Sequence, residues 1–450
     1  MWDHSRVSEL TVLLLSRGAA TIAGLLLVIA TTVSLMRTVV IPRALRSVIS
    51  DTVARVVSGT AIGLSRLQRD YRRRDSVLAW VGPTTIIMQL LTWLFMYLIA
   101  YGLMIYGLSG QALGESIRQA GSSLFTLGFA AVNTGDQTLI DFVAAATGPI
   151  VIAMLIGFLP TIYSEYLDRE VDVSMLSGQA GEPAWGPELL ARHAMASDVD
   201  GLTDFFHQWA RWAARLRLTH VTYPVLVWVR SARHSRHYLI SLLAVMDAAA
   251  LKVALNGSLT KRGAFSVLLN GGQAFDILYV FLFQKRGWRS RVPFVGQFFA
   301  SSADVRAMVG TMPTAKQHLA AIEFAADVDA ARGLNRNAVT ALTAGEEHPL
   351  RVTRAEFDVA VDLLKRSGFP IDRDLDEAWV LFRAARSRYE FAAYEIFYRL
   401  DTPPAPWSGG RRVPTPVMWP TLAIDILPKA IDPSVTSGDD DAPRQEEAPA

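Results

Sequence analysis

The chain has 450 residues, 51% of them hydrophobic, and a formal net charge of only +2. Its length and positive mean hydropathy call for a membrane part joined to at least one soluble domain. The complete lack of cysteine excludes disulfides, thiolate zinc sites and thiol nucleophiles, so any metal would need His, carboxylate or carbonyl ligands.

Residues 18–36 carry no charge and lie between Arg17 and Arg37, a length that suits a first membrane span. A cleaved signal peptide is the competing reading. The long apolar run, preceded by Asp3 and Glu9, speaks against it. Residues 43–76 are rich in arginine, with Arg43, Arg46, Arg55, Arg66, Arg69, Arg72, Arg73 and Arg74 against Asp51, Asp70 and Asp75. This excess of positive charge assigns the segment to the cytoplasm. The spacing of Arg66, Arg69 and Arg72 matches a voltage sensor, but Gln68, Asp70 and Arg73 between them favour a juxtamembrane helix at lipid headgroups.

A second span is expected over 77–108, with Trp80, Trp93, Tyr97, Tyr101 and Tyr106 suited to interfaces or packing. A third is expected over 139–163, interrupted by Gly148, Pro149, Gly157 and Pro160. The connection between them holds few charges and is expected outside, with the N-terminus external and the C-terminal region cytoplasmic. Within that connection, Leu113, Ile117, Ala120 or Gly121, and Leu124 recur at helical spacing over 113–125, too short to cross a bilayer. A helix that enters and stops there aims the negative end of its dipole at whatever follows, and a cation is favoured. Ser122 and Ser123 can hydrogen-bond the next turn. Thr126, Leu127, Gly128, Phe129 and Ala130 then form a short run in which carbonyls can replace an ion's hydration shell, with Gly128 supplying positive φ. An ordinary extracellular loop is the plainer alternative.

Together, residues 77–167 resemble the pore of the two-transmembrane potassium channel family: outer helix, pore helix, filter and inner helix. The resemblance implies a homotetramer, potassium as the permeant species, and a filter at Thr126, Leu127, Gly128, Phe129 and Ala130. It also implies an inner helix that bends at a glycine, with Gly148 and Gly157 as hinge positions and Pro160 weakening the ladder nearby. Close helix packing is the other use for such small residues. Ala130 stands where the family has its second filter glycine, and no Asp directly follows the run. A left-handed Ala130 would cost about 1–2 kcal/mol, so a pore-derived sensor or scaffold that does not conduct is the alternative function.

Beyond the third span, Ser177, Gly178, Gly181, Pro183 and Gly186 suggest a linker over 171–186, followed by a helical cytoplasmic domain over 187–400. Phe205, Phe206, Trp209, Trp212 and Leu216 mark an amphipathic helix, read as core in preference to membrane surface. Residues 239–255 are apolar but contain Asp247 and Lys252, which makes them a core helix. Shorter elements are expected at 275–283, 303–331, 354–366 and 375–399. His234 and His237, beside Arg230, Arg233 and Arg236, read as surface histidines, since those cations repel a metal. No Gly-x-Gly-x-x-Gly loop, strand pattern or catalytic constellation is visible. The proline-rich, acidic 401–450 is expected to be flexible.

The sequence thus predicts an all-α membrane protein with three transmembrane helices (the first within 1–42), a re-entrant pore helix and filter within 77–170, and a mainly helical cytoplasmic domain. It is expected to reside in the inner or plasma membrane, to contact lipids, to bind no nucleic acid and no cofactor, and not to be an enzyme.

Overall fold

The computed structural model describes residues 4–41, 47–130, 135–283 and 352–409, and every regular element among them is helical. The first part comprises α1 (His4–Leu35, continued by a π turn, Met36–Val40), α2 (Val48–Ser65), α3 (Tyr71–Ala79), α4 (Val81–Ser109), α5 (Leu113–Leu124) and α6 (Gly135–Ala180). The second comprises α7 (Gly186–Met195), α8 (Leu202–Thr222), a 3-10 turn (Pro224–Trp228), α9 (Tyr238–Leu255), α10 (Arg262–Phe283), α11 (Arg354–Arg366), α12 (Leu375–Arg386) and α13 (Glu390–Leu400). Among the described residues five helical stretches are long and apolar enough to cross a membrane, against three expected; Tyr238–Leu255 and Arg262–Phe283 are the additions. The helix over Tyr238–Leu255 is enclosed by protein along its length, as a core helix should be.

Small residues set the approach of α1 to α4. Gly24 lies against the Ala100 carbonyl and Gly107 against Thr21, so the helices run antiparallel without side chains to hold them apart. Polar ties follow the same seam: Tyr97 Oη meets Thr32 Oγ1 at 2.8 Å, and Trp93 Nε1 donates to Ser34 Oγ at 3.0 Å. At the far end Gly110 takes the left-handed conformation that closes α4, and its carbonyl accepts from Arg17 Nη2 at 3.0 Å. The arginine-rich segment is not one helix. Helix α2 stops at Ser65 and α3 restarts after Asp70, whose carboxylate accepts the Arg72 amide, so Arg66, Arg69 and Arg72 do not share a face.

Helix α6 is 46 residues long and continues through most of the expected linker. Its apolar residues Val173, Leu176 and Ala180 are buried in the second part's core, and Ser177 hydrogen-bonds back to Ser174 within the helix. Core burial outweighs the loop-forming composition there, and the helix ends only at left-handed Gly181. Helix α9 runs through the centre of that core. Its Asp247 is matched by the buried Arg386, and Tyr389 Oη donates to it at 2.7 Å. Lys252 donates to the Thr260 carbonyl at 2.8 Å. Helix α8 buries Phe206, Trp209, Trp212 and Leu216, which decides for core over membrane surface.

Several expectations are corrected. The 275–283 element is the end of the longer α10, and 375–399 divides into α12 and α13 around Ser387. His237 is not at the surface: it is buried, and its Nδ1 accepts the Leu239 amide at the start of α9. The chain from 402 to 409 is docked rather than loose, with Trp407 in the core and its carbonyl accepting from Arg386 at 2.5 Å. The 303–331 element and residues 410–450 lie outside the described residues.

Candidate functional site: the turn between α5 and α6

Helix α5 folds back along α4. Gly102 faces Ile117, where a Cβ would lie 2.9 Å from its Cγ1, and Gly121 faces Leu98 at 3.4 Å. Leu98 lies roughly 16 Å below the Ser109 end of α4 at the helical rise per residue. The C-terminal end of α5 therefore sits near the middle of α4's length. There it meets α6: the Leu124 carbonyl packs directly on Gly148, roughly 20 Å into α6, and a Cβ at 148 would overlap it.

Ser122 organises the chain that leaves α5. Its carbonyl accepts the Leu127 amide at 2.7 Å and the Gly128 amide at 3.4 Å. Its hydroxyl oxygen accepts the Phe129 amide at 3.0 Å and the Ala130 amide at 3.1 Å. In a trans peptide the N–H points opposite to the preceding C=O. With those N–H groups all turned toward Ser122, the carbonyls of Thr126, Leu127, Gly128 and Phe129 turn away from it, on the side where residues 126–129 are exposed. Positive φ falls at Thr126 (54°) and Gly128 (70°). Gly128 meets the expectation at no steric cost, whereas Thr126 spends about 1–2 kcal/mol. Ala130 is not left-handed, so the cost expected for it does not arise. The Thr126 hydroxyl donates to the Phe125 carbonyl at 2.8 Å.

A second tie joins this turn to α6. Asp141 is buried, and its carboxylate accepts from Ser123 Oγ at 2.6 Å and from Gln119 Nε2 at 2.8 Å. Gln119 also reaches Gln137 Oε1 at 3.5 Å. Gln119, Gln137 and Asp141 escaped the sequence reading, although an acid inside a long apolar stretch is itself a functional signal. The negative end of the α5 dipole and the Asp141 charge both lie beside the loop.

The expected hinge residues separate. Gly148 serves the close approach to Leu124, while a Cβ at Gly157 would meet nothing within 4 Å. Pro149 and Pro160 both lie inside α6. No protein-family model matches this chain, and no curated protein or solved structure is detectably similar to it.

Proposed function

We propose that this protein is a channel-like membrane protein passing monovalent cations, potassium first, through a pore built by copies of the turn between α5 and α6. The observation that carries this reading is the hold of Ser122 on four consecutive amides, Leu127 to Ala130, which by peptide geometry turns the carbonyls of Thr126 to Phe129 away from it. Carbonyl dipoles aimed at one axis replace an ion's hydration shell. In this reading α1, α4 and α6 cross the bilayer, α5 is the re-entrant pore helix, and Thr126, Leu127, Gly128, Phe129 and Ala130 line the filter. The arginine-rich 43–76 places the cytoplasm on the side of α2 and α3, with the C-terminal domain.

One chain supplies only one wall of such a pore, so four copies around an axis complete it. Exposed Phe125, Leu127 and Phe129 on the loop, and Phe142, Val143 and Ile156 on α6, supply apolar surface for neighbouring copies or lipid. Gly157, where an added Cβ would meet nothing within 4 Å, is the position where α6 bends, aided by Pro160.

The test is reconstitution of the full chain in liposomes with a potassium gradient. Flux is expected in the wild type and should vanish in Gly128→Ala and Thr126→Val proteins that retain their far-ultraviolet circular dichroism. A silent wild type, or flux that survives both changes, overturns the proposal.

A further inference from the structure

A cavity of about 90 Å³ lies where the end of α1, the start of α2, the first turns of α4 and the middle of α6 meet the 3-10 turn and α10. Its walls are mainly apolar, with Ile86, Trp93, Leu155, Phe158 and Trp228 contributing. The polar groups on the wall are mostly engaged: Thr85 donates to the Val81 carbonyl at 2.6 Å and Trp93 Nε1 to Ser34 at 3.0 Å. Gln89 is the exception. It is 5% exposed, and its Nε2 has no hydrogen-bond partner. A buried amide N–H left unpaired costs about 1–3 kcal/mol, so the position asks for an acceptor.

From these features we infer that the cavity seats the ester end of one acyl chain of a membrane lipid, the carbonyl with the first few methylenes that about 90 Å³ admits, with that carbonyl accepting from Gln89 Nε2. Gln89 lies roughly 12 Å into α4, at a depth where hydrocarbon and ester linkage meet if α4 spans the bilayer, a point that rests on the proposal above. The apolar walls suit methylene groups. The rim carries Arg37 and Asp51, opposite charges that select no net charge in the lipid head. Leu155 and Phe158 lie on either side of Gly157, where an added Cβ would meet nothing within 4 Å, so an acyl chain seated here braces α6 against the 3-10 turn beside that open position.

The test uses native mass spectrometry of the delipidated full chain in detergent, offered dioleoylglycerol or its dialkyl ether analogue, which lacks the ester carbonyl. The wild type should retain one dioleoylglycerol per chain, at least fivefold more than the ether, and Gln89→Met should lose that preference. Equal retention of ester and ether by the wild type overturns the inference, whatever the variant does. Binding of glycerol triacetate without dioleoylglycerol would assign the site to a water-borne ester and overturn the lipid assignment. The readout involves no ion flux, so a silent channel and an empty cavity are separate failures.

Discussion

The carbonyl of Leu124 rests on the α carbon of Gly148, with no room for a methyl group between them. This contact fixes how deep α5 ends against α6. Gly148→Ala must either push α5 out or bend α6, at about 1–3 kcal/mol for such overpacking. Thermal unfolding of the full chain in nanodiscs should show the loss, with flux falling in parallel. Gly157→Ala meets no atom within 4 Å and should leave the melting temperature within a degree or two of wild type while changing open probability. Equal behaviour of the two variants would refute the division of roles.

Ser122→Ala deletes the acceptor of the Phe129 and Ala130 amides but keeps the carbonyl that holds Leu127 and Gly128. Each lost bond is worth about 1 kcal/mol. Hydrogen exchange at residues 129 and 130 should accelerate about fivefold or more, with slower change at 127. If the outer half of the loop exchanges at the wild-type rate, the hydroxyl does not hold it.

Asp141→Asn keeps the size of the side chain and removes its charge. An amide offers one oxygen and a competing donor to Ser123 and Gln119, so charge-assisted bonds worth about 1.5–3 kcal/mol are lost in part. The expected outcome is a destabilised turn and reduced flux. A second change, Gln119→Glu, which adds a carboxylate beside residue 141, should partly rescue Asp141→Asn and harm the wild type; additive effects would break the proposed coupling.

His220 gives the clearest pH dependence. Burial, followed by the nearby Arg169 cation, pushes its imidazole well below the usual histidine range, and Nε2 accepts from Arg169 at 3.2 Å. The native state therefore keeps it neutral, whereas the unfolded chain takes a proton near pH 6.5. Stability contributed by neutral His220 is present above that pH and falls as pH drops through it, because only the unfolded chain gains the proton. Melting temperature should fall between pH 7.5 and 5.5, and His220→Gln should flatten the slope. An unchanged slope would assign the effect elsewhere.

The sequence marked α5 clearly, since Leu113, Ile117 and Leu124 recur at helical spacing. It also pointed to Ser122 and Ser123 as able to bond the following turn; the Ser122 hydroxyl does so, whereas that of Ser123 goes to Asp141. It did not show that Ser122 serves several amides at once, because that depends on the loop curling back over a helix end. Asp141 went unnoticed for a related reason: the surrounding alanines and valines dominate hydropathy, and its partners lie on another helix. The extent of α6 was hidden because Ser177 and Gly178 look like linker residues until Val173, Leu176 and Ala180 are seen to pack on α7 to α9. Thr126 as the strained residue was equally illegible, since nothing in a threonine announces positive φ.

Arg230 has a bearing on biosynthesis. Its guanidinium binds Asp75 and Tyr71 in α3 together with the carbonyls of Leu400 and Asp401, while Arg74 pairs with the Asp401 carboxylate at 2.7 Å. Tyr71 and Asp401, joined directly at 3.2 Å, are 330 positions apart. During translation α3 therefore waits, with its anchoring partners unmade, until residue 401 has left the ribosome. Insertion into the lipid and completion of this joint become separate events, and a chain truncated before Leu400 would enter the membrane without ever locking the base of α4.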